Sequence, residues 1–233
     1  MNTTARRQHG FTLWELLMTL LVGGILLGIG VPNVMEFQRN GAMTAAANDL
    51  ITAILMARTE AVKRQAPVGW CLTDDPMAAT PVCSQASVAD SGTRGFIVWV
   101  DENDNFDANG ARILTDATDG NVVVDAGELV IRRTAAPGGR ILMSVSCGYA
   151  SFTPSGVLRQ VAAHCNPAAP AAATPRAVLF CDDRGRRASS GNLSSARVVR
   201  IDRMGRANVL QETVDVNTWI TALAAGGVTA TCP

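Results

Sequence analysis

Glu15 is the one ionisable side chain inside an apolar run that extends from Phe11 to about Val31. A charge held at membrane depth is costly and marks a function, and it needs a cationic partner. No cation inside the same run can supply one. A free α-amino group created by cleavage just before Phe11 could.

Three other groupings could do chemistry. Asn105, Asp107, Asn109, Gly110 and Asp116, within the acidic loop Asp101–Asp116, echo the oxygen-ligand spacing of a calcium loop. The first of them is Asn, the last is Asp rather than Glu, and strand-like segments flank the loop. A strand-connecting turn is the simpler reading, so no metal site is assigned. Between Arg176 and Arg206 eight arginines stand against Asp182, Asp183 and Asp202. Arginine forks suit phosphate oxygens, which makes Arg186, Arg187, Arg203 and Arg206 candidate DNA contacts. Phe180 is the only aromatic in that stretch, which leaves little for base stacking. A solvated, salt-bridged face is the plainer alternative. Catalysis has less to stand on: the only histidines are His9 and His164, and Ser155 lacks the Gly-x-Ser-x-Gly frame of a nucleophile. His164 beside Cys165 reads as a loop residue, no cofactor motif occurs, and the chain reads as a non-enzyme.

Composition bounds these choices. With 233 residues, 48% hydrophobic and 17% charged, the chain has room for one sizeable folded domain and an extra element. Its formal net charge is zero, so no global field draws it to nucleic acid or anionic lipid. Lys63 is the only lysine. The six cysteines are Cys71, Cys83, Cys147, Cys165, Cys181 and Cys232, with no CxxC pair and none in the first 70 residues. An even set confined to one domain suggests disulfides and an oxidising compartment. Sequence leaves their pairing open; a preference for short loops favours Cys71–Cys83, Cys147–Cys165 and Cys181–Cys232.

The element that must carry Glu15 is a helix. About 21 apolar residues give about 31 Å, enough for a bilayer core of roughly 30 Å. Arg6 and Arg7 precede the run and keep that end cytoplasmic. An ordinary signal peptide would have a shorter apolar core and a small-x-small site after it. A plain anchor explains the run but not Glu15. The helical pattern continues through Met43, Ala46, Ala47, Leu50, Ile51, Ile54, Leu55, Arg58 and Val62 and should stop before Pro67. Gly24 and Pro32, late in the span, weaken the helix there.

Gly10-Phe11-Thr12-Leu13-Trp14-Glu15-Leu16-Leu17 resembles the class III signal of type IV pilins and type II secretion pseudopilins. Trp14 stands where that family has an aliphatic residue. The resemblance implies a cut between Gly10 and Phe11 by a prepilin peptidase and N-methylation of Phe11. It implies that Glu15 neutralises a subunit's N-terminal amine during assembly, and that helix between Gly24 and Pro32 can melt. It also implies an inner-membrane protein with a single span and a periplasmic head, later drawn into a pilus or pseudopilus with other pilins.

After Pro67 short β-rich runs alternate with turn residues. They lie at Val68–Leu72, Gly95–Val100, Asn121–Val124, Glu128–Arg132, Arg140–Ser146, Ala150–Phe152, Val157–Arg159, Ala177–Cys181 and Val198–Asp202. The expected fold is α+β, a long N-terminal helix packed on an antiparallel β-sheet head. The expected segments are 1–10 leader, 11–31 transmembrane and filament-core helix, 32–66 amphipathic continuation and 67–233 head. Phe96–Val100 with Asp101-Glu102-Asn103-Asp104-Asn105, then Phe152-Thr153-Pro154-Ser155-Gly156, then Arg203-Met204-Gly205-Arg206 are similar to the GspH/FimT family of minor pilins and pseudopilins. Some FimT-like members bind DNA through Gly-Arg-x-Arg; here Gly205-Arg206-Ala207-Asn208 lacks the second arginine. Three roles therefore compete: type IV minor pilin, type II secretion pseudopilin, and DNA-uptake pilin.

Overall fold

The computed structural model describes residues 10–84, 88–91, 94–101, 124–125, 127–138, 140–145, 148–159, 176–225 and 232. The chain divides into two units, Met1–Gly41 and Ala42–Pro233, and the division falls inside one helix, α1 (Leu13–Arg64). Thr12 caps that helix: its Oγ1 accepts the Glu15 N–H at 3.3 Å, filling one of the donors a helix start leaves open. The helix stops at Arg64 rather than at Ala66. Gln65 takes a left-handed φ of 55°, and Pro67 follows. Glu60 pairs with Arg64 at 2.7 Å and Lys63 at 3.5 Å, with both cations in the last turn where the carbonyl end favours positive charge.

In the first unit α1 is apolar on every side and exposed on every side. An 18-residue window has a mean hydropathy of 2.0 and none of it is buried. In the second unit one stripe is buried: Met43, Ala46, Ala47, Leu50, Ala53, Ile54, Ala57 and Ala61. This corrects the expected face. Leu55 and Val62 are each 45% exposed, and Ala53, Ala57 and Ala61 lie inward instead. Alanines let the helix backbone come close to the strands, so the large neighbours on the adjoining positions turn outward.

Among the described residues, eleven strands and a second helix follow α1. In chain order they are β1 (Val68–Thr73), β2 (Val88–Ser91), β3 (Gly95–Val100), β4 (Val130–Thr134), β5 (Leu142–Val145) and β6 (Tyr149–Phe152). Then come β7 (Leu158–Arg159), β8 (Arg176–Cys181), β9 (Ala188–Ser190), β10 (Leu193–Ile201), β11 (Ala207–Glu212) and α2 (Thr213–Ala225). One sheet has the order β4-β3-β1-β6-β7. The other has the order β11-β10-β8-β5-β2, with β9 also paired to β10. Every pairing is antiparallel.

Strand alternation sorts the side chains into three clusters. Val68, Trp70, Leu72, Phe96 and Val98 of the first sheet share one core with Val178, Phe180, Val199 and Ile201 of the second and with the buried stripe of α1. Cys71, Ile97, Trp99 and Tyr149 cluster on the other face of the first sheet. Ala177, Leu179, Ala196 and Val198 cluster on the other face of the second, under Val216, Trp219 and Ile220 of α2. Gly69 is required where it stands, because a Cβ there would fall inside the ring of Trp99, its cross-strand partner.

The strands depart from expectation where turns or bulges intervene. β4 starts at Val130 rather than Glu128 because Glu128 bonds back to Asp125 instead of to a neighbouring strand. There Glu128 N–H donates to Asp125 O at 3.3 Å and Asp125 N–H to Glu128 Oε2 at 2.8 Å. β10 begins well before Val198, and its register shifts between Leu193 and Val198. The run expected at Asn121–Val124 and the loop residues 102–116 lie outside the described residues, Val124 excepted.

Candidate functional site

The N-terminal end places Phe11 84% exposed, directly ahead of the Thr12 cap. Thr12 Oγ1 also lies 3.5 Å from Glu15 Oε2, so hydroxyl and carboxylate face each other one turn apart on the exposed helix surface. Glu15 is therefore the third helical residue, where the unsatisfied N–H groups of the helix start favour a negative charge. The Thr-x-x-Glu spacing that makes this cap was readable in the sequence, within the stretch read as a cleavage signal. Further on, α1 stays helical from Gly24 through Pro32. Pro32 has no N–H, so Gly28 O loses its usual donor. Asn33 Nδ2 donates to Ile29 O at 3.1 Å just beyond.

Among the described residues two disulfides lie in the second unit. Cys71–Cys83 ties β1 to the segment that follows it, with Cα atoms 5.6 Å apart. Cys181–Cys232 ties the end of β8 to the C-terminal segment, with Cα atoms 5.9 Å apart. Cys147 and Cys165 lie outside the described residues.

The arginines of 176–206 do not form one patch. Arg184 is held by buried Asp182, with Nε at 2.9 Å and Nη2 at 2.7 Å from Oδ2. Arg197 is buried, and its Nη1 donates to Ser194 O at 2.7 Å and to Ser195 O and Ala196 O at 3.1 Å each. Burial lowers its pKa, and neighbouring Arg184 pushes the same way. Of the four candidate DNA contacts, Arg187 lies beside Ser195, whose N–H donates to its carbonyl at 2.9 Å; Arg186 precedes it and reaches Asn217 at 3.4 Å. Arg203 and Arg206 lie in the turn after Ile201. About 20 Å of strand β10 separates the two pairs.

Two of the stretches that carried the family resemblance, Phe152–Gly156 and Arg203–Arg206, meet at one place. In the turn after β6, Gly156 N–H donates to Thr153 O at 2.8 Å and Gly156 has φ +76°. In the turn after β10, Gly205 N–H donates to Asp202 O at 3.0 Å and Gly205 has φ +72°. A Cβ on Gly205 would come within 2.8 Å of the Phe152 ring and 3.0 Å of Gly156 O. Leu158 N–H donates to Arg203 O at 3.3 Å, joining the two turns. Arg58 of α1 completes the joint, with Nε donating to Gly156 O at 3.0 Å. Its helical spacing marked Arg58 only as a core-face residue. Nothing local pairs it with a turn 98 residues away. These two stretches thus form a structural junction of the helix with turns of both sheets.

A cleft of about 520 Å³ lies between Ala42, Ala45 and Asp49 of α1, the 134–138 loop, and Phe96, Met143 and Phe180. Its one charged wall residue, Asp49, meets Arg132 at 3.5 Å. Among the described residues no three His, Cys, Asp or Glu gather to hold a metal.

Residues 46–205 match the family described as type II transport protein GspH, which spans both sheets and the junction. The chain belongs to the GspH family. Residues 5–31 also match the prokaryotic N-terminal methylation motif, which covers the cap, Glu15 and the apolar half of α1. It is thus a GspH-family protein that carries an N-terminal methylation motif. The pilin-like protein PilA1 of Thermus thermophilus is 33% identical over 98 residues, 42% of this chain and 51% of that protein. The chain thus spans about half the length of that relative. Two crystal structures of the type IV minor pilin FimU of Pseudomonas aeruginosa resemble it at TM-scores of 0.41 and 0.37. Their identities are 16% and 17%, covering 76% and 72% of this chain and 94% and 91% of theirs.

Proposed function

We propose that this chain is a minor pilin, cut between Gly10 and Phe11, N-methylated at Phe11, and built into or priming a type IV pilus through α1. The observation that supports the reading is the apolar run of α1, exposed over its length, with one carboxylate, Glu15, held at its capped start. In this reading Glu15 meets the N-terminal amine of a neighbouring subunit. Helix–helix burial supplies affinity and the charge pair sets register. The subunit waits in the inner membrane with its head in the periplasm. The Gly24–Pro32 segment, which already lacks a donor at Pro32, is where the helix melts as the subunit enters the filament.

The family description favours a second reading, a pseudopilin of type II secretion, with the same cleavage and the same role for Glu15. A DNA-uptake role has less support, since Arg186 and Arg187 stand at one end of β10 and Arg203 and Arg206 at the other. Intact mass and N-terminal sequencing of the protein from envelopes, with and without prepilin peptidase, test the shared core. A chain beginning at N-methyl-Phe11 only when the peptidase is present is expected; an uncut chain, or one cut after Val31, removes the proposal. Loss of filaments but not of secretion on deletion separates the first reading from the second.

A further inference from the structure

Gly41 is the last residue of the first unit and lies inside α1. A helical glycine is usually explained by close packing or by a left-handed backbone. Neither applies here. A Cβ at Gly41 would meet nothing within 4 Å, and Gly41 is not among the positive-φ glycines. What remains is its intrinsic effect, which is to favour local opening of a helix over closure.

The surroundings do not compensate for it. Val31–Gln38, Gly41 and Ala42 are exposed, and the buried stripe begins only at Met43. Arg39 and Asn40 are half-buried and keep side-chain interactions, but these do not replace helix propensity in the main chain. On the other side, Pro32 interrupts the main-chain ladder. Between the two lie only residues 33–40, fewer than the roughly 12–15 that sustain an isolated helix in water. Glu36 and Arg39 place it beyond the apolar run.

We propose that Gly41 is an opening point of α1, distinct from the Gly24–Pro32 segment, at which the helix unwinds locally while the stripe from Met43 to Ala61 stays packed. The opening itself does not rest on the filament reading.

Amide hydrogen exchange of the full chain in detergent micelles, read by mass spectrometry, tests it. In the wild type, amides 38–45 should exchange about tenfold or more faster than amides 50–61. Gly41→Ala should slow 38–45 by about fivefold, matching the ~1 kcal/mol by which alanine exceeds glycine in a helix, and leave 50–61 unchanged. Gly30→Ala should leave 38–45 unchanged. Wild-type amides 38–45 as protected as 50–61, or no slowing in Gly41→Ala, would overturn the proposal. If the slowing appears in a chain that the peptidase never cuts, the opening point stands and the filament reading alone fails.

Discussion

The two halves of α1 are one continuous helix with opposite relations to their surroundings. Before Gly41 its leucines and isoleucines are exposed on every side; after it, alanines line a buried stripe and the larger Leu55 and Val62 face outward. The exposed half is the more hydrophobic of the two. Hydrophobicity alone therefore did not decide which half enters this fold's core. The buried stripe mixes Met43, Leu50 and Ile54 with five alanines, and the alanines let the backbone approach the strands between the larger side chains.

The largest expected effect of that difference lies in paired truncations. Leu50→Ala should lower the second unit's stability by ~3 kcal/mol, since Leu50 is fully buried, while Leu20→Ala, 65% exposed in the wild type, should leave it unchanged. Denaturant unfolding of the full chain in detergent reads both, and equal losses would break the contrast. Overpacking comes next. Ala53→Leu should cost ~2 kcal/mol, because that side chain is fully buried in the shared core, and Gly28→Leu should cost that unit nothing, because its Cβ position is open. Arg58→Ala should cost ~1–2 kcal/mol in a melting experiment by leaving Gly156 O without its charged donor. Amide hydrogen exchange of the same variant would show whether the turns after β6 and β10 lose protection together.

The smallest effect is a pH dependence. Bonding to Arg64 holds the Glu60 carboxyl below its ordinary pKa of 4.5, so its folded pKa lies under its unfolded one. The pair thus stabilises fully above the unfolded pKa and is lost as pH falls through the folded one. Glu60→Gln should remove a few tenths of a kcal/mol near neutral pH and nothing at pH ~2. A difference that persisted at low pH would assign the effect to packing instead.

Much of this fold was legible along the chain where burial and local period agree. β1 and β3 are unbroken apolar runs, and the structure places Val68–Thr73 and Gly95–Val100 almost where their sequence suggests. β11 and α2 were not legible. Ala207–Glu212 pairs with β10 and half faces solvent, so it lacks a clean alternation. Thr213–Ala225 is rich in β-branched residues, which lower helix propensity. It is helical over the outer face of the second sheet, where Val216 is covered. Likewise Arg197 stood in an arginine-rich stretch whose plainer reading was a solvated face, yet it is buried because local carbonyls take its donors.

The sequence by itself determined the apolar half of α1, its lone carboxylate and its cap, because these are properties of neighbours along the chain: hydropathy, a Thr-x-x-Glu spacing, an α-helical rise. Only the tertiary structure decided which face of the second half is buried, that Arg58 holds a distant turn, and that the arginines divide between two ends of a strand. Those outcomes depend on which strands pair and how closely a helix can lie on them, and no local period encodes that.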